Sequence, residues 1–261
     1  MSRSAGCWPF LPAAPDEAIC AQGVAPSADR VLRLAATATL DRFAYVDGAT
    51  FFLARSDAEQ DDKRRSALGP LVWRMSDGKD GLWDDCVGPS SYAKSQGQPV
   101  KIWGMLANGV LHYYVLPADG RRTQNMNGAR YNTLVNRFFA DWRRASFGDD
   151  GSVHLVQDHE KCLWKEDNIK ALRLCGCNVV KNYPKHSPDL NAIEGFWNMM
   201  RLRLQETAPA ALESRTSFVT RLRRCVVWLN ANRAEQALKM CTNQKERAKS
   251  VKQLDGAKCA W

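Results

Sequence analysis

Three acidic residues, Asp47, Asp158 and Glu194, stand where a carboxylate is costly to bury without a partner. Asp47 interrupts the apolar run RFAYVDGATFFLA, Asp158 ends the apolar segment SVHLVQD, and Glu194 lies in the first turn of an apolar helix. Carboxylates that converge repel each other unless a cation lies among them. Magnesium takes oxygen ligands, and two such ions can activate a nucleophile and stabilise a leaving oxygen at phosphorus. The three acids therefore indicate a phosphoryl-transfer site.

Glu194 also has a purely structural explanation. Asn191 can cap the helix, and Glu194 three residues later completes an Asn-x-x-Glu arrangement like a capping box. The apolar stripe that begins at Ile193 places Glu194 at the margin between core and solvent. Taken alone, Glu194 favours the cap, and only its combination with Asp47 and Asp158 favours a metal site.

Hydrophobic periodicity predicts the elements that position these acids. Asn108-Gly109 between two apolar runs is a strong hairpin signal. A strand, a helix and a second strand with a short crossover imply a parallel pair. The predicted strands cover 42–54, 153–158 and 177–181, and the predicted helices cover 128–144, 164–175, 192–204 and about 212–231.

Composition bounds the classes of protein that are possible. The 261 residues carry a formal net charge of +9, which favours an anionic partner, and nucleic acid is the leading candidate. The alternative explanation of the charge is that the chain is an ordinary basic protein. The nine cysteines form no regular framework and show no zinc-finger spacing, which is typical of reduced thiols. No run approaches the length of a membrane span, so no membrane partner is expected.

Several sequence blocks, in order, resemble the mariner superfamily of transposases. YVDGATFFL is similar to the strand of the first acid, VKIWGMLANGVLHYYVL to a Trp-Gly hairpin, and MNGARYNTLV to the start of the next helix. VQDHEKC resembles the end of the second acidic strand, and YPKHSPDLNAIEGFW resembles the family's Ser-Pro-Asp-Leu-Asn-x-Ile-Glu-x-x-Trp signature. The resemblance covers roughly residues 40 to 205.

The resemblance implies an α/β domain of the RNase H-like fold, with a mixed central sheet flanked by helices. It makes Asp47, Asp158 and Glu194 the catalytic residues and the ligands of two Mg²⁺ or Mn²⁺ ions. It implies Mg-dependent DNA strand cleavage and strand transfer, with transposon ends and target DNA as partners and a homodimer on DNA. The expected location is the nucleus in a eukaryote, or the cytoplasm and nucleoid in a bacterium.

The sequence departs from the family pattern at several positions. Gly48 stands where the family usually has Glu, and His159 stands where it usually has Asn. Leu163 replaces a histidine, and Ala192 replaces the second proline of the signature. Only about 40 residues precede the first acidic strand, too few for the paired helix-turn-helix modules that recognise transposon ends, so the end-recognition domain is expected to be absent from this chain.

We therefore predict a largely disordered leader at 1–40, a catalytic domain at 41–235 and a basic C-terminal tail at 236–261. Basic and polar side chains near the acids are candidates for DNA contact, with a solvated helix face as the alternative for the arginines. These candidates are His159, Lys185, Arg201, Arg203, Arg221 and Arg224.

Two other functions remain possible from the sequence. One is a DNA-binding transposase remnant, domesticated or decaying, whose catalysis is weak or lost. The other is a structure-specific nuclease of the same fold.

Overall fold

The computed structural model describes residues 8–10, 42–54, 72–74, 98–119, 122–123, 125–181, 183 and 190–253. Apart from residues 8–10, the predicted leader at 1–40 lies outside these ranges. The strands are β1 Trp8–Phe10, β2 Phe43–Leu53, β3 Val72–Arg74, β4 Gln98–Ala107, β5 Val110–Val115, β6 Ala118–Asp119, β7 Arg122–Thr123, β8 Val153–Gln157 and β9 Cys177–Val179. The helices are α1 Gly128–Leu134, a π-helical segment Val135–Phe139, α2 Ala140–Phe147, α3 Glu166–Leu174, α4 Ala192–Glu206, α5 Arg215–Asn232, α6 Ala234–Thr242 and α7 Gln244–Gln253.

A five-stranded mixed sheet with the order β5-β4-β2-β8-β9 forms the centre of the fold. β2 pairs antiparallel with β4 and parallel with β8, and β8 pairs parallel with β9 as the sequence predicts. In this register Asp47 lies opposite Gly104, and Val46 lies opposite Gln157. Because Asp158 directly follows Gln157, the two predicted acids come from neighbouring strands.

The side chains of β2 alternate between two hydrophobic cores, because successive residues of a strand point to opposite faces. Tyr45, Ala49 and Phe51 pack in the core formed with α4, α5 and α6. Ala44 and Val46 pack in the core formed with the helices between residues 128 and 174. Asp47 shares the alternation of Tyr45 and Ala49, so it faces the layer of α4.

The β4–β5 hairpin closes as the Asn-Gly pair predicts. Asn108 has a φ of 49° and Gly109 a φ of 77°, which is the positive-φ pair required by a type I′ turn. A Cβ atom on Gly109 would also lie 2.6 Å from the carbonyl oxygen of Ala234. Gly109 therefore permits both the turn and the close approach of α6.

The C-terminal segment continues the packed structure beyond residue 235. Ala237 and Cys241 on α6 are buried in the same core as α4, and the Tyr45 hydroxyl donates a 3.0 Å hydrogen bond to the carbonyl of Cys241. Residues 236–253, the described part of the predicted basic tail, are thus helical. No helix in the described ranges combines the length and apolar character needed to cross a bilayer.

Asn230 on α5 covers the backbone of the edge strand β5. Its side-chain amide accepts a hydrogen bond from the Leu111 N–H and donates one to the Leu111 carbonyl, both at 3.0 Å. These two bonds replace those that a neighbouring strand would make.

We expect Asn230→Ala to lower the free energy of unfolding by about 1–3 kcal/mol, because two backbone groups lose their partners. Denaturant unfolding measures the change, with Asn232→Ala as the control, since Asn232 is an exposed helical asparagine that bonds only within its own helix. Equal effects of the two substitutions would contradict the role given to Asn230.

Candidate active site

Asp47 lies in the middle of β2 with its carboxyl group turned toward α4. The backbone N–H of Gly48 donates a 2.6 Å hydrogen bond to Asp47 Oδ1. A Cβ atom on Gly48 would lie 2.8 Å from the indole ring of Trp103, so this position has no room for a side chain without a shift of that ring. Trp103 therefore fills the space that a glutamate side chain at position 48 would need.

Glu194 enters the site from the first turn of α4. This helix lies close to the sheet, because a Cβ atom on Gly104 would come within 2.7 Å of the Trp197 ring. Asn191 occupies the N-cap position, but its side chain makes no capping hydrogen bond. Its Oδ1 atom is buried and has no hydrogen-bond partner among the described residues. The capping box expected from Asn-x-x-Glu is not formed, because the Glu194 carboxyl group is engaged with Asp47 instead.

The electrostatics of the site couple the three acids to one another. The pKa of Asp47 is raised to about 9, first by burial and then by the charges of Glu194 and Asp158 and a hydrogen bond to the Glu194 side chain. Burial also raises the pKa of Glu194, and the nearby charge of Asp158 acts in the same direction. A hydrogen bond between two carboxyl groups requires a proton, which Asp47 holds at neutral pH.

Asp158 directly follows β8, and aromatic side chains hold the backbone there. The Trp164 indole N–H donates a 2.7 Å hydrogen bond to the Asp158 carbonyl. The His159 ring stacks on Trp164 with the ring centres 5.0 Å apart, and its Nε2 atom lies 2.8 Å from the Tyr183 carbonyl. His159 thus connects the end of β8 to Tyr183.

A buried hydrogen bond supports the strand end from the other face of the sheet. The Tyr131 hydroxyl donates to Gln157 Oε1 at 2.6 Å, next to Asp158 in sequence. Gln157 is only 2% exposed, and its Nε2 group has no partner. The sequence pattern assigned Tyr131 to a helix face but did not indicate this pair, because Gln157 looks like an ordinary strand residue.

The donor set of the three acids suits a hard divalent cation, which takes carboxylate oxygens. In the part of the chain that the structure describes, no three His, Cys, Asp or Glu side chains surround one point as ligands do. Asp47 and Glu194 share a proton in this arrangement, and a cation is the other species that relieves the repulsion of paired carboxylates.

Arg201 is the predicted DNA-contacting arginine that faces the acids. Arg201 is partly buried, donates a 2.8 Å hydrogen bond to Asn198 and lies over the Phe51 ring, and its charge lowers the pKa of Glu194. Arg201 therefore faces the acids rather than solvent alone.

Three other predicted DNA-contacting arginines, Arg203, Arg221 and Arg224, lie on α4 and α5, and Arg221 and Arg224 line the same surface depression. Arg203 lies 4.0 Å over the Trp228 ring and pairs with Glu206. Arg221 is bound to Glu213 and to the Leu204 carbonyl. Arg224 is exposed on α5. Lys185 lies outside the described residues.

The mixed five-stranded sheet flanked by helices has the RNase H-like fold. The chain is similar to the crystal structure of the catalytic domain of Mos1 mariner transposase, with a TM-score of 0.63, 15% identity, and coverage of 96% of this chain and 100% of that chain. A structure of the same catalytic domain with raltegravir and Mn has a TM-score of 0.63 and 15% identity, and the match covers 95% of this chain and 100% of that chain. The mariner Mos1 paired end complex with Mg has a TM-score of 0.64 and 14% identity, and the match covers 100% of this chain and 69% of that chain.

The comparison confirms the resemblance to mariner transposases at the level of the fold. No protein-family model matches the sequence, and no curated protein matches it. At 14–16% identity, the likeness to the solved structures establishes the architecture and leaves the chemistry to the residues themselves.

Proposed function

We propose that the chain is a DDE-type catalytic domain that cleaves DNA strands and joins them to a target. The observation that carries this proposal is the placement of Asp47 on β2, Asp158 at the end of the neighbouring strand β8 and Glu194 in the first turn of the helix packed on them, in a chain with the Mos1 catalytic-domain fold. The solved structures support the class of substrate, since they include a Mos1 paired-end complex with the left transposon end and a Mos1 strand transfer complex.

Asp47, Asp158 and Glu194 would hold two Mg²⁺ or Mn²⁺ ions, the metals named for the Mos1 structures. When bound, these ions supply the positive charge that lowers the pKa of the attacking oxygen and neutralises the charge at phosphorus. The fit is chemical, because all three donors are carboxylates and two of them already share a proton.

The reaction has two displacements at phosphorus. A water oxygen first attacks the phosphorus of a phosphodiester, and the 3′ oxygen leaves as a 3′ hydroxyl while the other strand end keeps a 5′ phosphate. That 3′ hydroxyl then attacks the phosphorus of a target phosphodiester, and the 3′ oxygen of the target leaves as a new 3′ hydroxyl. β2 and α4 fix the carboxyl groups of Asp47 and Glu194 relative to each other, and the Trp164 bond fixes the backbone of Asp158. We further propose that the domain acts as a homodimer on DNA, in the nucleus or on the nucleoid.

The second candidate is a DNA-binding remnant with weak or lost catalysis. It is favoured by Gly48, whose site is filled by Trp103 where the family has a glutamate, and by Leu163, which is fully buried where the family has a histidine. This candidate keeps salt-sensitive DNA binding but predicts no divalent-stimulated cleavage.

A plasmid cleavage assay separates the two candidates. With Mg²⁺ or Mn²⁺, we expect the protein to convert supercoiled plasmid to nicked and linear forms, and Asp158→Ala to fall to the background rate, because one carboxylate of the set is removed. Asp150→Ala, which removes an exposed acid of a loop, is the matched control. Equal cleavage by the wild type and Asp158→Ala would refute the catalytic role, and DNA binding without cleavage would support the remnant.

A further inference from the structure

Three cations, Lys101, Arg130 and Lys165, lie near one another at the edge of the sheet where β4 begins. We call them the basic strip. Lys101 lies on β4 opposite Thr50, three residues beyond Asp47 on β2 and about 10 Å along the strand. It shares the alternation of Trp103 and Met105, so it faces the layer opposite to that of Asp47. None of the three belonged to the DNA contacts predicted from the sequence.

Asn125 brings two of these cations together. Lys101 Nζ donates a hydrogen bond to the Asn125 side chain, and an Arg130 guanidinium nitrogen donates one to the Asn125 carbonyl at 2.6 Å. Asn125 is exposed and uncharged, so it binds both cations without neutralising either. Like charges held close together favour an anion between them.

Lys165 comes to the start of α1 from the segment that follows Asp158. Its side chain crosses the start of α1, because a Cβ atom on Gly128 would lie 2.9 Å from Lys165 Cδ. Gly128 thus allows the Lys165 chain to pass directly over the helix backbone, two residues before Arg130. The strip therefore joins β4, α1 and the connection between β8 and α3.

The three cations of the basic strip are not neutralised by acidic side chains in the part of the chain that the structure describes. Among the described residues, none of its three members makes an ion pair, whereas a carboxylate partner is present for Arg144, Lys170, Arg203, Arg221, Lys239 and Lys249. Arg42 and Arg143, for comparison, bind backbone carbonyls of the loop before β8. The charges of the strip are thus available to an external anion.

We propose that the basic strip binds the phosphate backbone of duplex DNA at the end of the sheet beyond Asp47, on the face opposite to α4. Duplex DNA presents closely spaced phosphates along its length, which matches cations distributed over three separate elements. The contact is independent of base sequence, because hydrogen bonds to phosphates carry no sequence information. The inference rests on the proposed function only for the identity of the anion.

Salt-dependent binding of a duplex of about 30 base pairs tests the strip. Fluorescence anisotropy is measured in EDTA, so that catalysis plays no part. Changing Lys101, Arg130 and Lys165 together to glutamine is expected to reduce the slope of log K against log salt by about three, because three phosphates are no longer neutralised. At about 0.1 M salt the affinity should fall on the order of a hundredfold.

Two further variants control for net charge and for folding. Arg144→Gln, Lys170→Gln and Lys239→Gln together remove the same charge from cations that already have acidic partners, and this variant should keep most of the wild-type slope. Lys101→Arg, Arg130→Lys and Lys165→Arg together keep the charge of the strip and should restore binding.

An unchanged slope in the glutamine variant, or an equal loss of affinity in the charge-matched control, would overturn the proposal. Tighter strip-dependent binding of single-stranded RNA than of duplex DNA would overturn it as well. Asp158→Ala is expected to bind as the wild type does. If the wild-type protein binds DNA through the strip but does not cleave it, the proposed catalytic function is refuted and the proposal for the basic strip stands.

Discussion

Replacing Asp47 with asparagine is expected to abolish divalent-dependent cleavage and to make the protein more stable at the same time. Asparagine reproduces the protonated form of Asp47, since its oxygen can accept from Gly48 N–H and its amide can donate to Glu194. It cannot supply the negative charge that a cation needs. Activity and stability should therefore change in opposite directions.

The sign of the stability change follows from the raised pKa. Asp47 has an ordinary pKa of 3.8, which folding raises to about 9. Between these values the folded chain binds more protons than the unfolded chain, so the contribution of Asp47 to stability falls as the pH rises. Asparagine removes that loss, so its stability advantage should grow by up to about 1.4 kcal/mol for each pH unit between the two pKa values.

Thermal unfolding of the metal-free protein across a pH series measures this effect. The advantage of Asp47→Asn over the wild type should be small near pH 5 and should grow toward pH 8. Asp150→Asn, which removes an exposed acid, should show no such trend. A destabilised Asp47→Asn protein at pH 8 would contradict the buried, proton-sharing state of the site.

Local sequence signals were sufficient to predict the elements that carry the acids. The apolar run around Asp47 and the apolar segment before Asp158 form strands, and the short crossover from β8 to β9 gives the expected parallel pair. The Asn108-Gly109 turn forms because its two residues tolerate a positive φ. The interactions that form the turn lie within a few residues of the signal, and the β8–β9 pair joins residues only 24 positions apart.

The details of the site depend on contacts between residues far apart in sequence, which a local pattern does not contain. Asn191 and Glu194 have the spacing of a capping box, yet Glu194 bonds to Asp47 and the Asn191 side chain caps nothing. Arg221 falls on a predicted basic helix face, but Glu213 draws it into a partly buried ion pair. The π-helical turn at 135–139 was also not predicted, because apolar spacing hardly distinguishes one extra residue per turn.

Binding of a divalent cation is expected to tighten steeply as the pH rises, because a cation must displace the proton that Asp47 shares with Glu194. While the pKa of Asp47 lies near 9, release of one proton makes the association constant increase about tenfold per pH unit. Between pH 6 and pH 8 the affinity for Mn²⁺ should thus rise about a hundredfold. The charge of Arg201 opposes the burial that raises the pKa of Glu194, and so favours the ionised form of Glu194.

Isothermal titration calorimetry in two buffers with different ionisation enthalpies counts the protons released. We expect about one proton per binding event at pH 7 in the wild type. Arg201→Gln should raise this number, because Glu194 loses the nearby positive charge that keeps its carboxyl group ionised. Arg224→Gln is a matched control, since Arg224 is exposed on α5 and does not influence Glu194. Cation binding that is independent of pH and releases no proton would show that Asp47 is already ionised in the metal-free protein. Contacts other than the Asp47–Glu194 pair would then have to hold the two carboxylates in place.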